Sequence, residues 1–313
     1  MLNYTHISDL SNLKDTIENA IELKADPFKN AELGKHKNLV MLFFNSSLRT
    51  RLSTEKAARQ LGMHVSILNV NEAWELEFED GTIMNAGSAE HVKDAARVIS
   101  QYADIIAVRA FPNLKDKALD QSEYILNSFV KYATVPVVNM ESATGHPLQA
   151  LADAITITEH HKEKRPKVVL SWAPHSKILP QAVPNSFVET MQLLDVDLTI
   201  THPTGYELNP EITKETPIIY NQKEAVQNAD FIYVKNWSTY EPYGKNINQD
   251  ANWMMTKAKL GNAKFMHCLP IRRNLIATDE VLDHENSLII EQANNRTFAA
   301  QIVLKQLLLN LNN

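Results

Sequence analysis

Leu39-Val40-Met41-Leu42-Phe43-Phe44-Asn45-Ser46-Ser47-Leu48-Arg49-Thr50-Arg51 joins an apolar run to a helical pattern. Residues 39–44 read as a buried strand, short and apolar without strict alternation. Beyond the turn, Leu52, Ala57, Ala58 and Leu61 recur at helical spacing until Gly62, a natural residue to follow a helix end. A strand feeding a helix through a hydroxyl-rich turn presents backbone N–H groups and the positive end of the helix dipole, and both attract an anion. Arg49 and Arg51 can add charge-assisted bonds to phosphate oxygens. The stretch is not a Walker A loop, because the glycines and the Lys-Ser/Thr pair are missing. Alone, it also fits an ordinary capped helix with solvated arginines.

Outward from this stretch, strand and helix patterns alternate. A helix is expected over 9–25 and a strand over 64–70. A loop over 71–81 then holds Trp74 among Glu72, Glu75, Glu77 and Glu79. Such a tryptophan either folds back on its own domain or inserts into a neighbouring subunit, with no local apolar partner evident in the sequence. Further expectations are a helix over 90–102, a strand over 104–109, a helix over 124–132 and a strand over 135–140. A long helix over 146–161 and a polar link at 162–165 lead to a second series. Its strands are expected at 167–173, 197–201, 230–235, 264–267 and 287–290, with helices at 183–194 and 224–228 and a last helix over 293–311. This alternation predicts an α/β protein with two doubly wound parallel-sheet domains joined by long helices. The expected division is 1–145, 146–291, and a C-terminal helix, 292–313, returning to the first domain. In such sheets ligands bind beyond the carboxyl ends of the strands. Those ends carry Ser47 to Arg51, Arg109, Glu141 and His146 in the first series, and His175, Lys235 and His267-Cys268-Leu269-Pro270 in the second.

Composition narrows the function. The net charge of −6 argues against a broad nucleic-acid or acidic-membrane face, so an anion site must be a local cluster. One cysteine, Cys268, excludes an intramolecular disulfide and argues against a thiolate zinc cluster. The first residues lack signal-peptide character and no apolar run approaches a membrane span, so a cytoplasmic protein is expected.

Ser47-Leu48-Arg49-Thr50-Arg51, Arg109, His146-Pro147-Leu148-Gln149, His267-Cys268-Leu269-Pro270 and Arg296 together resemble the aspartate/ornithine carbamoyltransferase family over nearly the whole chain. The resemblance implies a homotrimer with carbamoyl phosphate sites shared between adjacent subunits, and no metal or organic cofactor. By that match Ser47, Leu48, Arg49, Thr50 and Arg296 hold the phosphate. Arg109, His146 and Thr50 surround the carbamoyl oxygen, where negative charge grows in the transition state. Gln149 and the carbonyls of Cys268 and Leu269 accept from the carbamoyl NH₂, and Trp74 sits in the loop that reaches a neighbouring subunit.

The second half is similar to the branch acting on N-acylated ornithines. Glu-Ala-Trp-Glu, Ser-Trp-Ala-Pro-His and Lys-Asn-Trp carry that likeness, and the Ser-Met-Gly run of ornithine enzymes is missing. Lys235 would repel a free α-ammonium but pair with an α-carboxylate. The match assigns Glu141, His175, Lys235 and Arg272 to the acylornithine. Ala89 stands where the acetyl-specific branch has a glutamate before Glu90-His91, and Arg272-Arg273-Asn274 occupies a region where that branch has a lysine. Losing a carboxylate at 89 leaves room for a second carboxylate on the acyl group, so succinyl is expected over acetyl, with helix N–H groups near Ala89 as one source of attraction.

Overall fold

The computed structural model describes residues 1–161, 165–248 and 250–311. The chain forms two compact units. The first comprises residues 1–113, 118–148 and 296–313, and the second 114–117 and 149–295.

In the first unit α1 (Leu13–Ala25) is followed by β1 (Asn38–Phe43), α2 (Arg49–Gln60) and β2 (His64–Asn69). Then come β3 (Leu76–Glu77), β4 (Glu90–His91), α3 (Val92–Tyr102), β5 (Ile105–Arg109), α4 (Tyr124–Tyr132) and β6 (Val137–Glu141). Four strands form a parallel sheet in the order β2-β1-β5-β6. All of β5 and β6 and five of the six residues of β1 are buried, as expected of strands covered on both faces, whereas the edge strand β2 is not. On one face, Val92, Ala95, Ala96 and Ile99 of α3 and Leu126 and Phe129 of α4 pack on Val40, Leu42, Ile106 and Val108.

α2 ends in a Schellman turn, with Met63 N–H bonded to Ala58 O and Gly62 N–H to Arg59 O, each at 3.0 Å. Gly62 has φ +84°, as its place after the helix requires. The buried stripe of α2 is Thr50, Thr54, Ala57 and Ala58; Leu52, expected on it, faces solvent.

The second unit contains most of α5 (Pro147–His160), then β7 (Lys167–Trp172), α6 (Ala182–Gln192), β8 (Asp197–Thr201), β9 (Phe231–Lys235), β10 (Lys264–Met266) and the first residues of α7 (Ile289–Leu311). Its parallel sheet has the order β10-β9-β7-β8. The chain passes between the units within α5 and α7.

Several boundaries differ from expectation for identifiable reasons. α1 starts at Leu13 rather than residue 9 because Asn12 caps it, accepting from Asp15 N–H at 3.1 Å. Residues 287–290 do not form a strand. Ser287 makes only an isolated bridge to Phe265, and Gln292 N–H donates to Leu288 O, so the α7 ladder is already under way. α3 starts at Val92, because His91 caps it and pairs with Glu77 in the short β3-β4 ladder. Residues 162–164 of the expected polar link lie outside the described residues, as do 312 and 313 of the last helix.

Candidate active site

In the first unit, the turn after β1 and the start of α2 carry the sequence's anion motif. No side chain caps α2 at Leu48. A cleft of ≈ 310 Å³ lies at the ends of β1 and β2, lined by residues including Asn45, Ser46, Ser47, Arg51 and Asn69. Asn45 Oδ1 accepts from Phe111 N–H at 2.6 Å, tying the turn to the chain beyond β5. Arg296, on α7, donates from Nη2 to Thr50 Oγ1 at 2.6 Å, and both are buried. Two residues far apart in sequence, each assigned to the phosphate, thus meet in one unit.

Arg109, at the end of β5, is buried and fully committed in direction. Its Nε and Nη2 donate to Glu141 Oε2 at 3.2 and 3.0 Å, and its Nη1 donates to the carbonyls of Asn45 and Ser46 at 3.1 and 2.7 Å. Its guanidinium lies over the Phe111 ring, 4.3 Å from the centroid. A guanidinium has five N–H donors, so these bonds leave one N–H on Nη2 for a ligand. Glu141 Oε2 also lies 3.6 Å from His146 Nε2. The carboxylate is therefore held among the residues expected at the carbamoyl oxygen, a placement the sequence reading did not foresee. The loop leading into His146 is anchored by Glu123, whose Oε1 accepts from Thr144 N–H at 2.7 Å and Ser142 Oγ at 2.7 Å, and whose Oε2 accepts from Ala143 N–H at 3.1 Å. Only the packed structure reveals this anchor, since Glu123 precedes the loop by about twenty residues.

Of the two places the sequence left open for Trp74, the structure shows it half-buried against the core of its own unit. Ala89 N–H donates to Glu75 O at 2.9 Å, and the start of α3 is capped by His91, which accepts from Lys93 N–H at 3.0 Å. The Ala89 N–H and one N–H of the helix start are thus taken within the chain. Ala89 itself is exposed, at the end of an exposed run from Glu79 to Gly87.

In the second unit, the ends of β7 and β9 are clamped side by side. Asn236 Nδ2 donates to Ala173 O at 2.7 Å, Trp172 Nε1 to Trp237 O at 3.1 Å and Trp237 Nε1 to Tyr206 O at 2.8 Å. His175 follows β7 and is buried, and Arg272 Nε donates to its Nε2 at 3.2 Å. Its Nδ1 lies against the Lys177 backbone, 2.9 Å from the N–H, from which it accepts, and 3.2 Å from the carbonyl. Burial first, and then the nearby cations Lys235, Arg272 and Lys177, hold His175 below the usual histidine range, so it is a neutral ring beside two of the cations the sequence assigned with it.

The His267–Leu269 turn also lies in this unit. His267 Nδ1 accepts from Leu269 N–H at 2.8 Å, which orients the turn, and Leu269 sits at φ +57°. Gln149 and Cys268 are buried. Asp153 and Gln292, fully buried polar residues on α5 and α7, bond in this region and were missed in the sequence. The detectable signal was Asp153 four residues after Gln149 on one helix, the spacing of facing side chains.

The carbamoyl-P binding domain of aspartate/ornithine carbamoyltransferases matches residues 3–159, and the Asp/Orn binding domain matches 180–307. The chain belongs to the aspartate/ornithine carbamoyltransferase family. It is 49% identical to the N-succinylornithine carbamoyltransferase of Bacteroides thetaiotaomicron over 98% of this chain and 99% of that relative. It is 38% identical to the N-acetylornithine carbamoyltransferase of Xylella fastidiosa (strain Temecula1), over 92% of this chain and 94% of the relative. Among solved structures it resembles, with TM-score 0.92 and 33% identity over 98% of this chain and all of the other, a variant of N-acetyl-L-ornithine transcarbamylase. That variant has one glutamate replaced by alanine and is complexed with carbamyl phosphate and N-succinyl-L-norvaline.

Proposed function

We propose that this chain transfers the carbamoyl group of carbamoyl phosphate to the δ-amine of N2-succinyl-L-ornithine, giving N-succinylcitrulline and phosphate on a route to arginine. The observation that carries this reading is the 49% identity to an N-succinylornithine carbamoyltransferase along nearly the full length of both chains, joined to the alanine at position 89. An acetyl-enzyme relative with a glutamate-to-alanine change is complexed with a succinylated norvaline, which supports the same assignment.

The first unit's residues take the phosphate and the carbamoyl oxygen. Ser47, Leu48, Arg49, Thr50 and Arg296 hold the phosphate; Thr50, the remaining Arg109 N–H and His146 meet the oxygen. Gln149 and the Cys268 and Leu269 carbonyls accept from the carbamoyl NH₂, while His175, Lys235 and Arg272 hold the acylornithine, its α-carboxylate paired with Lys235. Glu141 orients Arg109 and is the acidic group on the amine's side of the reaction. The δ-amine attacks the carbonyl carbon, the C–O bond to phosphate breaks, and the proton released by nitrogen passes to the departing phosphate. An alkylammonium near pKa ~10 costs about 4 kcal/mol to neutralise at pH 7, which cations beside the site lower. Charge growing on the carbamoyl oxygen is met by donors already in place, so catalysis is proximity plus oxyanion stabilisation.

The enzyme works in the cytoplasm as a homotrimer with shared sites. No described helix is long and apolar enough to cross a membrane. Support for the trimer comes from exposed apolar side chains flanking the proposed site, Leu48 just before α2, Leu52 on it, and Ile83 and Met84 in the run before Ala89, which a neighbouring subunit would cover. Trp74 belongs to the segment leading into that run.

The test is the ratio of kcat/KM for succinylornithine to that for acetylornithine, in the parent and in Ala89→Glu. The variant should shift at least tenfold toward acetylornithine, by charge repulsion and crowding of the succinyl carboxylate. An unchanged ratio would remove position 89 from the assignment.

A further inference from the structure

We propose that Asp153 and Gln292 are positioning residues that turn acceptors toward the substrate, Asp153 by fixing which end of the Gln149 amide faces it and Gln292 by tying the His267–Leu269 turn to that carboxyl group, an inference resting on the carbamoyl-transfer reading above. His267 N–H can only donate, and it donates to Gln292 Oε1 at 2.9 Å. That fixes the Gln292 amide, whose Nε2 donates to Asp153 Oδ1 at 2.7 Å. The same Oδ1 accepts from Gln149 Nε2 at 2.7 Å. A carboxylate oxygen accepts from both amides, so Gln149 turns its NH₂ toward Asp153 and its Oε1 the other way. Asp153 and Gln292 are fully buried and Gln149 is 1% exposed, so solvent cannot substitute for any of these partners.

The surroundings favour this arrangement. Tyr233, fully buried, is held well above the usual phenol range by burial first and then by Asp153 and Cys268, so it stays protonated beside the carboxylate. Through Gln292 the same carboxylate ties down the turn that carries the Cys268 and Leu269 carbonyls. One buried carboxyl group thus orients three acceptors: Gln149 Oε1 and two backbone carbonyls. Acceptors match an NH₂ group and mismatch a methyl group. Without Asp153 the Gln149 amide loses the partner that distinguishes its two ends, and can present NH₂ to NH₂.

Carbamoyl phosphate and acetyl phosphate share a phosphate and a carbonyl and differ in NH₂ against CH₃. The experiment measures binding of each, and of inorganic phosphate, to the full-length parent, Asp153→Leu and Gln292→Leu. The parent should favour carbamoyl phosphate over acetyl phosphate. In the variants that preference should fall about tenfold, the worth of roughly one well-made hydrogen bond. Affinity for inorganic phosphate should stay within about twofold. An unchanged preference in the variants, or equal weakening toward all three ligands, would overturn the inference. If Asp153→Leu does not fold, Gln292→Leu decides alone, because it cuts the tie to His267 and leaves the carboxylate in place. A parent that transfers no carbamoyl group from carbamoyl phosphate would instead overturn the reading on which the inference rests.

Discussion

Arg109 and Glu141 show how a site residue carries structural and chemical duties together. Both are at least nine-tenths buried, and the guanidinium spends two donors on the carboxylate and two on the carbonyls that shape the anion turn. Replacing one partner of such a pair strands the other charge, which typically costs about 3–5 kcal/mol. Arg109→Met should therefore lower stability by about that amount in denaturant unfolding, and adding Glu141→Gln should recover much of the loss. Activity should not return in the double variant, since the donor to the carbamoyl oxygen is still gone. His202 supplies a pH dependence. Its Nδ1 faces Pro203 O at 2.9 Å, and its buried Nε2 has no hydrogen-bond partner among the described residues. Burial, opposed by Pro203 and Glu207, holds this histidine below its ordinary value of 6.5. The unfolded chain then binds the proton more readily than the folded one, so stability rises with pH through this window. The contribution is complete above 6.5 and is lost as pH falls through the lowered folded value. Melting temperature measured from pH 8 down to 5 should decline less steeply in His202→Asn than in the parent; parallel curves would contradict the assignment.

At the level of elements, the end of α2 offers a sharp test of backbone logic. A Cβ on Gly62 would lie 2.0 Å from Ala31 O, in a conformation with φ +84°. Gly62→Ala should destabilise by more than ~1 kcal/mol, measured as a lower denaturant midpoint with the slope unchanged. Gly62 was legible as a helix stop because only a residue tolerant of positive φ suits that place. Strands β1, β5, β6, β7 and β9 were legible as short, largely apolar runs recurring between helical patterns, and β8 through its alternating Leu198 and Ile200. The β3-β4 ladder was not, since two-residue strands carry no periodicity. Residues 287–290 were misread because a short apolar run cannot distinguish a strand from the first turn of a buried helix. Trp74 left two readings open, because packing on the core of its own unit is a tertiary contact that an acidic loop does not announce. The strand orders in the two sheets depend on crossovers and could not be read locally. The site divides similarly. Motif residues at strand ends were visible, whereas Glu123, Asp153 and Gln292 hold those residues from elsewhere and became apparent only through their bonds.

For the whole molecule, the central claim is the identity of the amine. The phosphate-side residues are common to carbamoyltransferases by resemblance, so they cannot separate ornithine from its acylated forms. That distinction rests on Lys235 in place of an acidic partner, on Ala89, and on likeness to an enzyme for succinylornithine along 98% of the chain. The most direct measurement is kcat/KM of the purified parent with carbamoyl phosphate and each of N-succinylornithine, N-acetylornithine and free ornithine, following the citrulline-type product. The expected order is succinylornithine first by at least tenfold, acetylornithine second, and free ornithine with little or no turnover. A preference for acetylornithine or free ornithine would contradict the account.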